Sequence, residues 1–266
     1  MTAPDNHSGR LDGRRAVLVG AGQQPGATVG IGRAIALVLA ARGADLVLVD
    51  KDESGARETQ RLLAVQGHTA EIRVADITDP ASCAAFADSL GKRCDVLVNS
   101  VGILGDGTAL NTEEMVWDRV MDVNLKGMWR LTKALLPLMI ARRTGSIVNV
   151  SSIGANGGPN LAYGISKAGV NRFTLALAAE YAKFDIRANA VLPGLVDTPM
   201  SVEGGLAARG LTRDEYVARR AAMVPMAYQG TAFDVARAVA FFASDDSRYV
   251  SGALMPVDGA LVASSW

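Results

Sequence analysis

Short apolar runs alternate with longer stretches of helical periodicity along nearly the whole chain. Ala16–Val19, Leu46–Val49, Thr69–Val74, Val96–Val98, Ile147–Val150, Ile186–Leu192 and Ala253–Val257 are runs rich in Val, Leu, Ile and Ala. Most are apolar on both alternating faces, as in strands buried on two sides. Between them, apolar residues recur at helical spacing over Arg33–Arg42, Glu53–Gln66, Pro80–Leu90, Thr112–Val123, Leu125–Arg142, Tyr163–Phe184 and Asp234–Ala243. Gly43 reads as a helix C-cap, and Pro137 should kink the helix that contains it. From Asp197 to Gln229 the pattern is irregular, with short helical patches around Gly204-Gly205. Strands alternating with helices predict an α/β fold: a doubly wound, Rossmann-type parallel sheet of seven strands with helices on both faces. With no repeat or linker, residues 13–266 form one domain behind a loose tail at 1–12, and about 195–230 form a substrate lid.

The residues that close the strands matter most. Gly20, Asp50, Asp76, Asn99, Ser152 and Pro193-Gly194 follow strands directly, so a parallel sheet brings them to one edge. Ligands of such sheets bind outside the carboxyl ends of the strands. After the first strand comes Gly20-Ala21-Gly22-Gln23-Gln24-Pro25-Gly26-Ala27-Thr28-Val29-Gly30-Ile31-Gly32. Glycine lets backbone approach a pyrophosphate, and a helix start supplies free N–H groups with a positive dipole end. A lone Gly-rich turn is a weak signal. Here an acid, Asp50, ends the second strand 18 positions beyond Gly32, the spacing of a ribose-binding carboxylate. That carboxylate repels a 2′-phosphate, and no Arg or Lys lies in Ala27–Gly32, so NAD is expected over NADP; Lys51 is the opposing feature. Asp76 suits the adenine amino group or, more blandly, a turn.

Ser146–Phe184 carries the candidate chemistry. Its strand ends at Ser151-Ser152, and a helical pattern then presents Tyr163 and Lys167 four residues apart, on one face. An ammonium beside a phenol lowers the phenol pKa from roughly 10 towards the range of a proton-transfer catalyst. A hydroxyl from the strand end can bond the oxygen being protonated. Taken alone, Tyr-x-x-x-Lys more often means a lysine stem packed over a ring.

Composition excludes several other functions. Lys+Arg and Asp+Glu are both 27, which removes the electrostatic reason for a nucleic acid or anionic membrane partner. The two histidines, His7 and His68, are far apart, which argues against a metal site or a Ser-His-Asp triad. Cys83 and Cys94 read as reduced, buried thiols. The polar N-terminus is no signal peptide and no run reaches membrane-spanning length, so the expected location is cytoplasmic.

Together these residues make the chain, over 11–262, resemble the short-chain dehydrogenase/reductase family. The family's T-G-x-x-x-G-x-G turn matches at Gly20, Gly30 and Gly32, its N-N-A-G block at Asn99-Ser100-Val101-Gly102, and its catalytic Asn at Asn124. Ser152, Tyr163 and Lys167 match the catalytic Ser, Tyr and Lys; Pro193, Gly194 and Thr198 match the Pro-Gly turn, and Ser251-Gly252 through Val257-Asp258-Gly259 the terminal pattern. Val19 replaces the usual Thr, and the Gly-rich loop is about six residues longer than the family's, with Gln23–Thr28 the insertion. Ser151 rather than Ser152 stays possible from strand alternation; the family uses the second Ser of the pair.

The resemblance implies hydride transfer between NAD and a secondary alcohol or ketone. Tyr163 would act as general acid/base, Lys167 would lower its pKa and bond the nicotinamide ribose, Ser152 would polarise the substrate oxygen, and Asn124 would hold a water. By itself, Asn124 reads more simply as an amide bridging two helices. The implied cofactor set is Gly20, Gly30, Ile31, Gly32, Asp50, Asp76, Ile77, Asn99, Gly102, Tyr163, Lys167, Pro193, Gly194 and Thr198. The uncharged Ile153–Ala162 and apolar Leu195, Met200, Val202 and Leu206 suggest a neutral or partly apolar small-molecule substrate; Arg209, Arg213, Arg219 and Arg220 read as a solvated face. Helices apolar on more than one face, with the family's habit, imply a homotetramer. The rival readings are an NADPH-dependent 3-oxoacyl or carbonyl reductase, a non-catalytic dinucleotide sensor, and a sugar-nucleotide epimerase, for which the chain is short.

Overall fold

The computed structural model describes residues 9–158, 160–206 and 210–265; most of the expected tail and Arg209 lie outside the described residues. The apolar runs form β1 (Arg15–Val19), β2 (Asp45–Asp50), β3 (Ala70–Val74), β4 (Val96–Asn99), β5 (Gly145–Val150) and β6 (Ile186–Pro193). With a last strand, β9 (Leu254–Val257), they make one parallel sheet in the order β3-β2-β1-β4-β5-β6-β9. The order reverses between β1 and β4, which opens a crevice at their carboxyl ends.

Side-chain alternation divides each central strand between two cores. Ala16, Leu18, Leu46 and Leu48 face one layer, covered by α1 (Ile31–Ala41) and α9 (Ala232–Ala243). Val17, Val19, Val47 and Val49 face the other, where Phe86 of α3 (Pro80–Ser89), Leu131 and Leu135 of α5 (Met128–Arg142) and Leu177 of α6 (Leu161–Tyr181) pack. Each fully buried Leu or Val contributes about 1.5–3 kcal/mol, so both layers are strongly held to the sheet. Local signals set the helix starts. Asp52 caps α2 (Glu53–Val65) by accepting from Ser54 N, and Asp79 caps α3 with Pro80 just inside.

Two features differ from the sequence pattern. The two helices expected around residues 112–142 are one path: α4 (Glu114–Met121), a π-helical stretch (Asp122–Gly127), then α5. The wide π turn shifts the side-chain phase, which reads in sequence as a helix end. The π turn leads straight into α5, which contains Pro137 and ends at Arg142. In the irregular region, β7 (Val196–Asp197) pairs in parallel with β8 (Gly230–Thr231), bracketing α7 (Pro199–Leu206) and α8 (Arg213–Ala221). Two-residue strands carry no readable alternation. Among the described residues no helix is long and apolar enough to cross a membrane.

Candidate active site

The site is built first by close backbone approach. Gly20 leaves β1 with φ +83°, and a Cβ there would meet the Ser100 carbonyl oxygen at 2.8 Å. Gly32, in the first turn of α1, is closer still: its Cβ would fall 1.9 Å from the Gly20 carbonyl oxygen. Only glycine allows the helix to start this close to the strand. No side chain caps α1 and its first turn holds no acid, so its free N–H groups face the crevice as an anion site. The inserted residues are ordered by Gln23, whose amide donates to Thr28 O at 2.9 Å and accepts from Gly30 N at 2.7 Å.

Asp50, at the end of β2, accepts from Gly22 N at 2.8 Å and Asp52 N at 3.0 Å, which points its carboxylate over the glycine turn. Asp76 accepts from both Thr78 N (2.8 Å) and Thr78 Oγ1 (2.7 Å). The Thr78 hydroxyl bond is the main reason its carboxyl pKa lies below the ordinary value. Asp76 is thus a turn acid that also lines the cleft.

At the other end, β5 delivers the serine pair. Both line the cleft, but Ser151 is buried with its hydroxyl donated to Lys167 O at 3.1 Å, whereas Ser152 accepts from Gly154 N at 3.0 Å. A methyl on Gly154 would lie 3.3 Å from Ser152 Oγ and 3.5 Å from Tyr163 Cε1, so serine and phenol meet around this glycine. Lys167 Nζ lies 5.7 Å from the Tyr163 ring centroid and donates to Val150 O at 3.0 Å. A methyl on Gly102 would stand 3.2 Å from Lys167 Nζ and 3.8 Å from Asn124 Oδ1.

Asn124 itself is fully buried in the π stretch. Its amide accepts from Ile103 N (2.8 Å) and donates to Ile103 O (3.0 Å) and Ser166 Oγ (3.0 Å). Both amide hydrogens are therefore spent on protein, as the bridging reading expects.

The pKa directions correct one expectation. Burial pushes the Tyr163 phenol above its ordinary value, against a lowering hydrogen bond with Ser152. Burial also pushes Lys167, 3% exposed, down to about 8. A shared low-dielectric pocket shifts each group towards its neutral form.

A cleft of about 510 Å³ joins these parts. Its walls include Gly20, Gly30, Ile31, Gly32, Asp50, Asp76, Ile77, Gly102, Ser152, Tyr163, Lys167, Pro193, Gly194 and Thr198. Asn99 and Asn124 do not line it. The Asn99 side chain instead starts a buried polar ladder, donating to Thr132 Oγ1 (3.2 Å) and Asn149 Oδ1 (2.9 Å), while Asn149 donates to Thr174 Oγ1 (2.9 Å). These bonds, about 1 kcal/mol each, tie β4 and β5 to α5 and α6. The walls also include residues the sequence did not single out, among them Gln23, Gln24, Leu104, Arg119 and Ser201. Gln24 and Ser201 fall in segments already marked, the insertion and the lid; Arg119 and Leu104 carried no signal. Among the described residues no His, Cys, Asp and Glu cluster suits a metal.

A glycine turn too tight for any Cβ, an acid held over that turn and a Ser-Tyr-Lys end on one cleft fit a dinucleotide. A family model described as enoyl-(acyl carrier protein) reductase matches residues 26–261. The chain belongs to the short-chain dehydrogenase/reductase family. The oxidoreductase UcpA of Escherichia coli K12 is 37% identical, over 94% of this chain and 95% of its own. The crystal structure of levodione reductase superposes with a TM-score of 0.89 at 30% identity, over 96% of this chain and 99% of its own. A Beutenbergia cavernae protein, solved with NADP at low occupancy, is 36% identical with a TM-score of 0.86, over 96% of this chain and 99% of that one. Membership makes this chain an oxidoreductase that uses a nicotinamide dinucleotide on a small-molecule substrate.

Proposed function

We propose that this enzyme interconverts a neutral secondary alcohol and its ketone with NAD(H), Tyr163 serving as general acid/base. The observation that carries the reading is the convergence of Ser152, Tyr163 and Lys167 at one end of a cleft whose other end holds Asp50 over the glycine turn. The nicotinamide, when bound, supplies the hydride acceptor or donor. The remaining work falls to the chain. Gly20 and Gly32 let strand and helix close up, so that the α1 N-terminus meets the diphosphate. Asp50 accepts from ribose hydroxyls, and with Asp52 beside it disfavours a 2′-phosphate despite Lys51 on the same wall. Ser152 bonds the substrate oxygen. Tyr163, kept protonated by burial, donates to that oxygen in the reductive direction; in the oxidative direction it must first lose its proton, so oxidation rises with pH. Lys167, fixed on Val150 O, supplies positive charge behind the phenol. Asn124 positions Ile103 and with it the Gly102 wall against Lys167.

The reading includes a symmetric oligomer in the cytoplasm. Trp129 of α5 and Ile165 and Leu175 of α6 expose apolar surface suited to a second copy. Light scattering coupled to size exclusion tests that point, a monomer being the contrary result. The main test follows absorbance of reduced cofactor over a panel of secondary alcohols and ketones with NAD(H) and NADP(H). Faster turnover with NAD(H) is expected. A clear preference for NADP(H) would instead favour the carbonyl reductase reading, and tight binding without turnover a sensor. Tyr163→Phe should keep dinucleotide binding within a few fold and lose turnover by about 10²–10⁴; retained turnover contradicts the assignment.

A further inference from the structure

The proposed reaction leaves the inserted stretch Gln23–Thr28 without a role. We infer that it forms, with the segment after Gly194, a clasp over the cofactor diphosphate, with Gln23, Asp197, Glu203 and Arg213 as positioning residues; this rests on the proposed dinucleotide site. Gln23 closes the insertion on itself through Thr28 O and Gly30 N, which makes a defined flap next to the anion-binding end of α1. The flap packs against α7. A Cβ on Gly26 would lie 2.7 Å from Pro199 Cβ, 2.9 Å from Pro199 Cγ and 3.1 Å from Glu203 Cγ. Two longer polar contacts accompany the packing, Ala27 N to Glu203 Oε1 and Thr28 Oγ1 to Asp197 Oδ1, both 3.4 Å.

Arg213 holds the far side. Arg213 of α8 donates to Asp197 Oδ1 at 2.6 Å and pairs with Glu203 Oε1 at 3.5 Å, the same two oxygens that face the flap. Without Arg213 the two carboxylates would repel each other and the bound diphosphate. Gln23, Gln24 and Pro25 line one edge of the cleft, and Thr198, Pro199, Met200 and Ser201 another, so the joined pieces flank the path between glycine turn and solvent. Loss of Gln23–Thr28 would remove every contact between the two pieces described here. A clasp in this place governs how fast dinucleotide leaves, and touches neither Tyr163 nor the substrate oxygen.

Stopped-flow displacement of NADH, read by its fluorescence, tests this with Gly26→Ala, whose methyl wedges against Pro199, and Arg213→Gln, which leaves Asp197 and Glu203 facing each other without their cation. Each should raise the NADH dissociation rate roughly three- to tenfold, with the single-turnover hydride-transfer rate within about twofold of wild type. Arg213→Gln sits on a partly exposed position, so it keeps the test valid if Gly26→Ala fails to fold. Unchanged dissociation rates in protein that binds NADH would overturn the clasp alone. A parallel fall in the single-turnover rate would also overturn it, by reducing these residues to general support. Wild type that binds neither NADH nor NADPH would refute the dinucleotide reading itself.

Discussion

Exchanging Lys167 for Met should change how stability depends on pH, in a way set by burial. The ammonium is 3% exposed, and burial lowers its pKa from 10.5 to about 8. The unfolded chain therefore binds this proton more tightly than the folded one. Below about pH 8 both states are protonated and the folded state carries the whole penalty, about 3 kcal/mol. Between about pH 8 and about pH 10.5 the folded protein sheds the proton first and the penalty fades. From near pH 7 to near pH 9.5 the wild type should thus gain about 2 kcal/mol on Lys167→Met. The variant also leaves the Val150 carbonyl without its partner, but that cost is alike at both pH values and cancels in the comparison. Tyr163 does not disturb the comparison, because burial holds its phenol protonated in the folded state of both proteins over this range. The assay is urea unfolding of cofactor-free protein, followed by tryptophan fluorescence at the two pH values. Parallel pH dependences would refute the reasoning, since they would show Lys167 to be hydrated in the folded state.

Two further substitutions test the site's geometry. Gly32→Ala forces a methyl to within 1.9 Å of the Gly20 carbonyl unless strand and helix part; about 1–3 kcal/mol of stability and most dinucleotide affinity should go, read by thermal unfolding and NADH fluorescence. A normal melting curve with normal binding would show the turn to be looser than described. Ser152→Ala should cut turnover at least about a hundredfold, whereas Ser151→Ala, removing a buried bond to Lys167 O, should cost about 1 kcal/mol of stability and little rate. The reverse pattern would exchange the roles of the two serines.

Much of this enzyme was already present in its order of residues. The apolar runs at Ala16–Val19, Leu46–Val49 and Ile147–Val150 read as strands, because short Val- and Leu-rich runs between helical stretches fit a sheet covered on both faces. Parallel pairing then brings their end residues, Gly20, Asp50 and Ser152, to one edge without further information. Tyr163 and Lys167 share a helix face by period alone. Tertiary structure decided what depends on neighbours from distant segments. Asn99 is drawn below the cleft by Asn149 on the paired strand. Asn124 falls in a π turn and clamps Ile103. The insertion finds Pro199 and Glu203 across the cleft. The direction of the Tyr163 shift shows why: spacing gives the distance to Lys167, but the polarity of the medium between them is set by every chain segment that excludes water there.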